Sequence, residues 1–424
     1  MMSANLKRHS IFYGWWIVIA CFLINMATIG TISLGFTAFF EPIAREFGWS
    51  YAQVSFASSL RGMEMGILAP VFGLVVDKWG PRKIVFGGAF MVGIGLTLVS
   101  RANNLAMFYG SFVILSVGMS ACFGVVLYTT ISHWFRRRTA MAMGIATSGI
   151  AIGGLMIPLA TVLIDVLGWR MAMLSLGLGT GILIALLSLL LRHKPEQYGY
   201  LPDGAVESMA GSSSHVVRVP VPSTEAKLKL SQVLASMTFW KISLPFMVHY
   251  MTVSAMLTHF MPYFSSIGIL RTASSLIAST VPLITITGRI GCGWLGDKYS
   301  SKWLTTMVIG MVGLGIFFFG YIAVDKMWLA IPSIIFLGVS WGGASTMIGV
   351  ITKDYYGRSN FGPVLGFIMG VATIGSIIGP TLAGFVFDTW GRYQSIWFGF
   401  AVLAVAVTVL MMTVPPLSSK TNMV

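Results

Sequence analysis

Arg289 stands in the run TITGRIGCGWLGD, eight residues before Asp297 and the polar stretch around it. On a helix that is about 12 Å from the polar boundary. A guanidinium so deep among apolar residues is costly unless it faces a wet cavity or an anion. Its planar fork fits a carboxylate through two parallel hydrogen bonds, which a lysine does not reproduce. Two readings follow. One is a clamp for an anionic ligand; the other is a structural pair with a buried acid, for which Glu64 is the obvious partner.

Arg61 and Glu64, in SSLRGMEMGILAP, are three residues apart and share a helical face. They form either a neutral pair that fixes helix packing or a protonation site at Glu64. His249 and His259 both lie in MVHYMTVSAMLTHFMPYF. At 100° per residue they point about 80° apart, so they are not a metal pair. His259, three residues before Pro262, is either a hydrogen-bonded packing residue or a proton relay titrating near neutrality. Asn25, Tyr128 and Thr285 are isolated polar positions in apolar runs. The Tyr128 hydroxyl can donate to a carboxylate while its ring bounds a pocket, or the residue can mark a headgroup belt.

The elements that must hold these residues are set by composition. Of 424 residues, 56% are hydrophobic and only 9% charged, and the mean hydropathy is +0.84. That excludes a soluble enzyme. Twelve apolar segments follow one another, from 12–40 and 51–76 through to 362–386 and 393–414, each close to the roughly 20 residues a bilayer-spanning helix requires. The fold class expected is an all-α membrane protein of twelve helices. One long polar stretch, 192–239, rich in Ser and Pro, divides an N-terminal six-helix half (1–191) from a C-terminal one (240–424). From Ser223 to Met237 it carries the pattern of an amphipathic helix on a membrane surface.

The net charge of +14 is distributed by loop. If the N-terminus is cytoplasmic, 19 of the 27 Lys and Arg fall in cytoplasmic segments and six outside, namely Arg45, Arg101, Arg170, Arg271, Lys326 and Arg392. Both termini are therefore expected to be cytoplasmic, and the positive charge does not signal nucleic acid. The run Arg136-Arg137-Arg138 reads as a topology signal and a contact for anionic lipid. Cys21, Cys122 and Cys292 lie in apolar segments without a CxxC pair, which implies neither disulfide nor metal. The first apolar run is read as a retained helix rather than a cleaved signal.

An internal repeat decides the architecture. GLVVDKWGPRK, from Gly73 to Lys83, returns as GWLGDKYSSK, from Gly293 to Lys302, with Asp77 and Asp297 220 residues apart. Gly144, Gly149, Gly153, Gly154 and Pro158 are mirrored by Gly366, Gly370, Gly375, Gly379 and Pro380. Asp165 with Gly168-Trp169-Arg170 is mirrored by Asp388 with Trp390-Gly391-Arg392. Three matches in one order indicate parallel repeats enclosing a central cavity.

The chain resembles the major facilitator superfamily over nearly its whole length, on the GxxxDxxGxR pattern after the second segment and its weaker copy after the eighth. Within that superfamily it is most similar to the monocarboxylate transporter family. Three features carry this: Tyr13-Gly14-Trp15-Trp16, the run WFRRRTAMAMGIATSGIAIG from Trp134 to Gly153, and Arg289 itself. The chain departs from that family at Thr139, where the signature has a second Arg, at Thr285, where several members carry an acid, and at Leu34, where mammalian members place a lysine. The resemblance implies a secondary active carrier of a small organic anion working by alternating access, most simply a proton-coupled monocarboxylate symporter of the cell inner membrane. It implies substrate contacts at Arg289, Tyr128, Asn25 and Thr285; with Leu34 and Thr285 at the family's lysine and acidic positions, the intramembrane groups left for proton coupling are Glu64, with Arg61 beside it, and His259. The loop residues Gly73, Asp77, Lys78, Gly80, Arg82, Gly293, Asp297 and Lys298 are expected to form a cytoplasmic latch. A carboxylate antiporter of the oxalate and formate type is the alternative, followed by drug efflux. No cofactor is expected, since a GxxxxGK[ST] run is missing; the partners expected are substrate, protons and lipid, with a monomer as the functional unit.

Overall fold

The computed structural model describes residues 12–135, 138–198, 200–201, 230–296 and 298–416. They form helices joined by short turns. Among the described residues, nine helices are long and apolar enough to cross a membrane by themselves. One of these, Met141–Ser188, turns at Gly168 (φ 77°, ψ 158°); two others, Val324–Gly357 and Pro363–Trp390, are the two sides of the turn at Gly357 (φ 70°, ψ 176°) in the longest helical run, Ala330–Trp390. These are backbone conformations that glycine alone adopts readily. Divided there, and with Tyr51–Trp79 and Met237–Ser266 included, the described residues make twelve rods.

We number them α1 (Tyr13–Phe47), α2 (Tyr51–Trp79), α3 (Pro81–Ser100), α4 (Leu105–Trp134), α5 (139–167), α6 (169–188), α7 (Met237–Ser266), α8 (Arg271–Gly296), α9 (Ser301–Gly320), α10 (330–356), α11 (358–390) and α12 (Gln394–Met412). α1 runs past the expected boundary at residue 40, because Glu41, Arg45 and Glu46 lie on a final polar-faced turn rather than in a loop. Of the linker, 202–229 lie outside the described residues, including the start of the expected amphipathic helix; Leu230–Ala235 form one short helix.

Local chemistry starts the rods where the sequence permits. Ser50 and Gln53 make a reciprocal capping box at the head of α2. Asn104 and Ser236 accept from the backbone N–H three residues on, at the heads of α4 and α7. Within α1 the residues Ile29–Leu34 form a π-helical segment, a widening often found at functional sites.

The repeat is visible in the packing. A methyl group at Gly149 would collide with the Phe22 carbonyl, and one at Gly153 would meet Gly30 and the Met26 carbonyl at 3.0 Å. In the second half, Gly375 and Gly379 press in the same way against the carbonyls of Met247 and Met251. α5 on α1 and α11 on α7 are therefore equivalent small-residue contacts, in which backbones approach as in membrane helix pairs. Outward faces of the peripheral rods are apolar at helical spacing: Phe86, Phe90 and Ile94 on α3, Leu178, Ile182 and Leu186 on α6, Val402, Val405 and Val409 on α12. Faces like these suit lipid rather than water. The chain is a multi-pass membrane protein.

The two ends of the bundle differ. At the near end, where α1 begins and α12 finishes, the buried apolar residues form two separate cores, one from the first six rods and one from the last six. At the far end a single core runs across both halves, with Phe36, Phe40, Phe108 and Phe112 meeting Phe260, Phe264, Tyr393 and Trp397. Among the described residues the halves are fused at the far end and parted at the near end.

Candidate functional site

Arg289 lies on α8, seven residues before its near end, where the single core gives way to two. Its Nη1 donates to the Thr147 carbonyl of α5 at 3.2 Å, a bond between the halves. Its Nε is buried without a partner, and no described carboxylate pairs with it. Glu64, the acid proposed from sequence as its alternative partner, lies on the α2 backbone with its side chain outside the described residues. A guanidinium carries five N–H donors, so four remain for an anion. The phenols of Tyr128, on α4, and Tyr250, on α7, lie within electrostatic range of this guanidinium. Tyr250 escapes sequence reading: the signal is a tyrosine beside His249 in an apolar helix, which looks like packing.

Asn25 is fully buried and donates from Nδ2 to the Ala146 carbonyl at 2.9 Å. It thus holds α5 one residue from the carbonyl that Arg289 uses, while its own Oδ1 is left unpartnered. Thr285 is one helical turn from Arg289 but turns away: its hydroxyl donates to Pro282 at 2.6 Å, and its carbonyl packs against Gly342 of α10. Of the four residues expected at the substrate, Tyr128 lies within electrostatic range of Arg289, Asn25 holds the adjoining carbonyl of α5, and Thr285 is spent within its own helix.

Arg61 donates from Nη1 to the Ile32 carbonyl at 2.6 Å, inside the π-helical segment of α1. His259 stands in the far-end core, fully buried between the halves. Its Nε2 is 2.9 Å from both the Pro380 carbonyl and the Ser55 hydroxyl, and its Nδ1 is 2.8 Å from the Tyr393 hydroxyl. A carbonyl only accepts, and Ser55 already donates to the Tyr51 carbonyl at 2.6 Å. Nε2 therefore carries the proton and Nδ1 accepts from Tyr393.

Two carboxylates close the far end. Asp388, on α11, accepts from the Tyr51 and Ala52 N–H groups at the head of α2, 2.8 Å each. Asp165, on α5, lies 3.5 Å from Arg271 at the head of α8, and Arg271 also donates to the Ala38 carbonyl at 2.8 Å. Near them Ser59 bonds to the Ile377 carbonyl and Thr381 across the same seam. Of the expected near-end latch, Gly73 is described in its backbone only, and the Asp77 side chain and all of Asp297 lie outside the described residues. Gly80 makes the tight α2–α3 turn at φ 77° against His193. Lys78 and Arg82 are exposed, and the Lys298 Nζ sits 3.8 Å above the Trp294 ring, one turn beyond Gly293's neighbour.

Twelve rods in two equivalent halves, closed at one end over a guanidinium that has no carboxylate partner among the described residues, are a carrier's geometry, and the sequence profile of the Major Facilitator Superfamily matches residues 15–352 and 246–422. The chain belongs to the Major Facilitator Superfamily. Its likeness to solved members of that fold is close in shape and low in sequence. A bacterial homolog to the human lysosomal transporter Spinster, in an inward-facing and occupied conformation, superposes with a TM-score of 0.74 at 13% identity, covering 95% of this chain and 97% of that one. The nucleoside transporter NupG gives 0.69 at 14% identity, covering 95% and 99%. Among curated relatives, monocarboxylate transporter 12-B of Danio rerio is 27% identical, over 92% of this chain and 85% of that one. The oxalate:formate antiporter of Oxalobacter formigenes is 24% identical, over 89% and 86%. This chain is a membrane transporter of the superfamily, resembling the monocarboxylate transporters, and not an enzyme.

Proposed function

We propose that the protein carries a small monocarboxylate across the cell inner membrane, in symport with a proton, as a single chain. The observation that supports this is the guanidinium of Arg289: it lies where the halves part, is held by one main-chain carbonyl and lacks a carboxylate partner among the described residues. A deeply placed cation in that setting is a default site for an anion. Alternating access then rocks the halves about this site. In this reading the near end is cytoplasmic, the far-end seam around Asp388 and Arg271 is the outer gate, and the two Asp/Lys/Gly loops latch the inner side. Glu64 and His259 are the candidate proton carriers, with Arg61 beside the first.

Replacement of Arg289 by Lys keeps the charge and loses the fork. Carboxylate binding by the purified protein, measured by calorimetry, is expected to fall by more than tenfold with the fold retained. Wild-type affinity in the Lys variant would reject the clamp. Carboxylate exchange is the second reading, supported by the likeness to an oxalate:formate antiporter. Uptake of labelled carboxylate into proteoliposomes separates the two: a pH gradient drives the symporter, whereas internal unlabelled carboxylate is required by the exchanger.

A further inference from the structure

Arg271 stands at the head of α8, in the second half, and the oxygens it binds belong to the first. Its Nη1 lies 3.5 Å from the Asp165 carboxylate of α5, and its Nη2 donates to the Ala38 carbonyl of α1 at 2.8 Å. Each tip of the fork therefore holds one oxygen from across the seam. Beside them lies a cavity of about 40 Å³, lined by Thr37, Ala38 and Glu41 from the first half and by Ser265, Arg271 and Ser274 from the second. The closed seam is loosely filled at this point. Glu41 faces the cavity but is engaged within its own half, 3.5 Å from Arg45 and 3.5 Å from the Tyr51 hydroxyl.

Parting of the far end carries α1 and α5 away from α8, so Arg271 gives up both oxygens in one movement. The charges separate with it. Glu41 and Asp165 leave with the first half, while the guanidinium stays on the second, beside Ser265, Ser274 and the positive end of the α8 dipole. A carboxylate offers a guanidinium two oxygens in parallel, which is the number the open gate takes away. Asp165 is an easily displaced occupant: its side chain is 48% exposed, and 3.5 Å is long for a charge-assisted bond. We propose that Arg271 is an entry site for a small monocarboxylate at the outer mouth, where the external anion replaces Asp165 and the Ala38 carbonyl and so favours the open gate. The assignment rests on the carrier reading in taking the far end as outer and a carboxylate as cargo. It adds a site 18 residues along α8 from Arg289, about 27 Å away. A ligand that binds only the open arrangement shifts the equilibrium toward it.

The test reads the gate through a cysteine at Ser55, which is fully buried in the closed seam. The full chain, with its native cysteines changed to serine and with Arg289→Lys to silence the central clamp, is placed in right-side-out membrane vesicles. Modification by an impermeant thiol reagent is timed with external L-lactate and with sodium chloride at equal ionic strength. Lactate should speed the reaction severalfold and saturably, and chloride should not. Arg271→Gln should raise the basal rate and abolish the response to lactate. Arg271→Lys, which keeps the charge and loses the fork, should raise the half-saturating lactate concentration about tenfold. If Arg271→Gln does not yield folded protein, the Lys variant decides, and an unchanged half-saturating concentration there counts against the assignment. A lactate response that persists in Arg271→Gln, that chloride equals, or that is missing from the Arg289→Lys background would overturn the entry site. The carrier reading stands or falls separately, on uptake of labelled carboxylate by proteoliposomes holding the wild-type protein.

Discussion

The carboxylate of Asp388, in the last turns of α11, caps the first turn of α2 by accepting the N–H groups of Tyr51 and Ala52 at 2.8 Å each. Those N–H groups have no partner inside their own helix, and they carry the positive end of its dipole. Asp165 and Arg271, at the positions related to Asp388 and Tyr51 by the internal repeat, meet at 3.5 Å across the same seam. The two contacts differ in kind. The first is between an acid and main chain in a tight crossing, where Gly384 sits against Tyr51 and Ala52; the second joins two partly exposed side chains.

Asp388→Ala is expected to loosen the far end. Hydrogen bonds to charged groups contribute about 1.5–3 kcal/mol each, so the open population should rise at least tenfold. A cysteine at Ser55, in a background where the three native cysteines are serine, should react with a membrane-impermeant thiol reagent correspondingly faster. An unchanged rate would mean that the Asp388 contact does not hold the gate. Asp165→Asn should raise the rate far less, since exposed pairs contribute about 1 kcal/mol or less.

Gly375→Ala places a methyl group against the Met247 carbonyl. Overpacking of this kind costs roughly 1–3 kcal/mol, and a clear fall in Tm in detergent is expected. Gly366→Ala, on the same rod with open space around it, should leave Tm unchanged or slightly raised. Equal effects at the two positions would refute the close crossing of α11 and α7.

For the coupling proton, Glu64→Gln is expected to abolish uptake driven by a pH gradient while sparing exchange at equal pH. Survival of both processes assigns Glu64 a structural role and moves the question to His259. There, Gln can imitate the neutral ring by donating to Pro380, and Ala cannot. His259→Ala should lose about 1–3 kcal/mol through unpaired buried groups, and His259→Gln distinctly less, as read from thermal unfolding.

Orientation is checked by labelling in intact cells. Cysteines introduced beside Arg271 and Lys326 should react with an impermeant reagent from outside, and one at Ser213 should not. The opposite pattern would invert the assignment of inner and outer gates.

Much of this arrangement is legible in the residues alone. The spacing of Gly149 and Gly153 against Gly375 and Gly379 foretells two equivalent helix crossings, because only glycine admits a carbonyl at that distance. Arg289 announces itself by its cost among apolar neighbours. Tyr250 does not, since a phenol in an apolar helix has the same pattern whether it faces lipid, core or ligand, and only the rotation of α7 against α11 separates these. Thr285 misleads for a related reason: its hydroxyl can bond to its own helix at Pro282, an option that spacing does not reveal. Asp165 and Asp388 stand out as repeated, yet their targets belong to the opposite half and one target is backbone.

Contacts across the seam follow that last pattern repeatedly: Asp388 to two amides, Arg271 to Ala38, Arg289 to Thr147, Ser59 to the carbonyl of Ile377, and the Met261 amide to Thr37. In each, one partner is an atom that every amino acid shares, proline's missing N–H aside. Substitution at Thr147, Ala38 or Ile377 therefore leaves the acceptor in place, and related proteins are free to diverge there without a matching change opposite. Correlated substitutions among homologues should accordingly be sparse along this seam, and methods that infer proximity from such correlations will under-report the surface on which the two halves move.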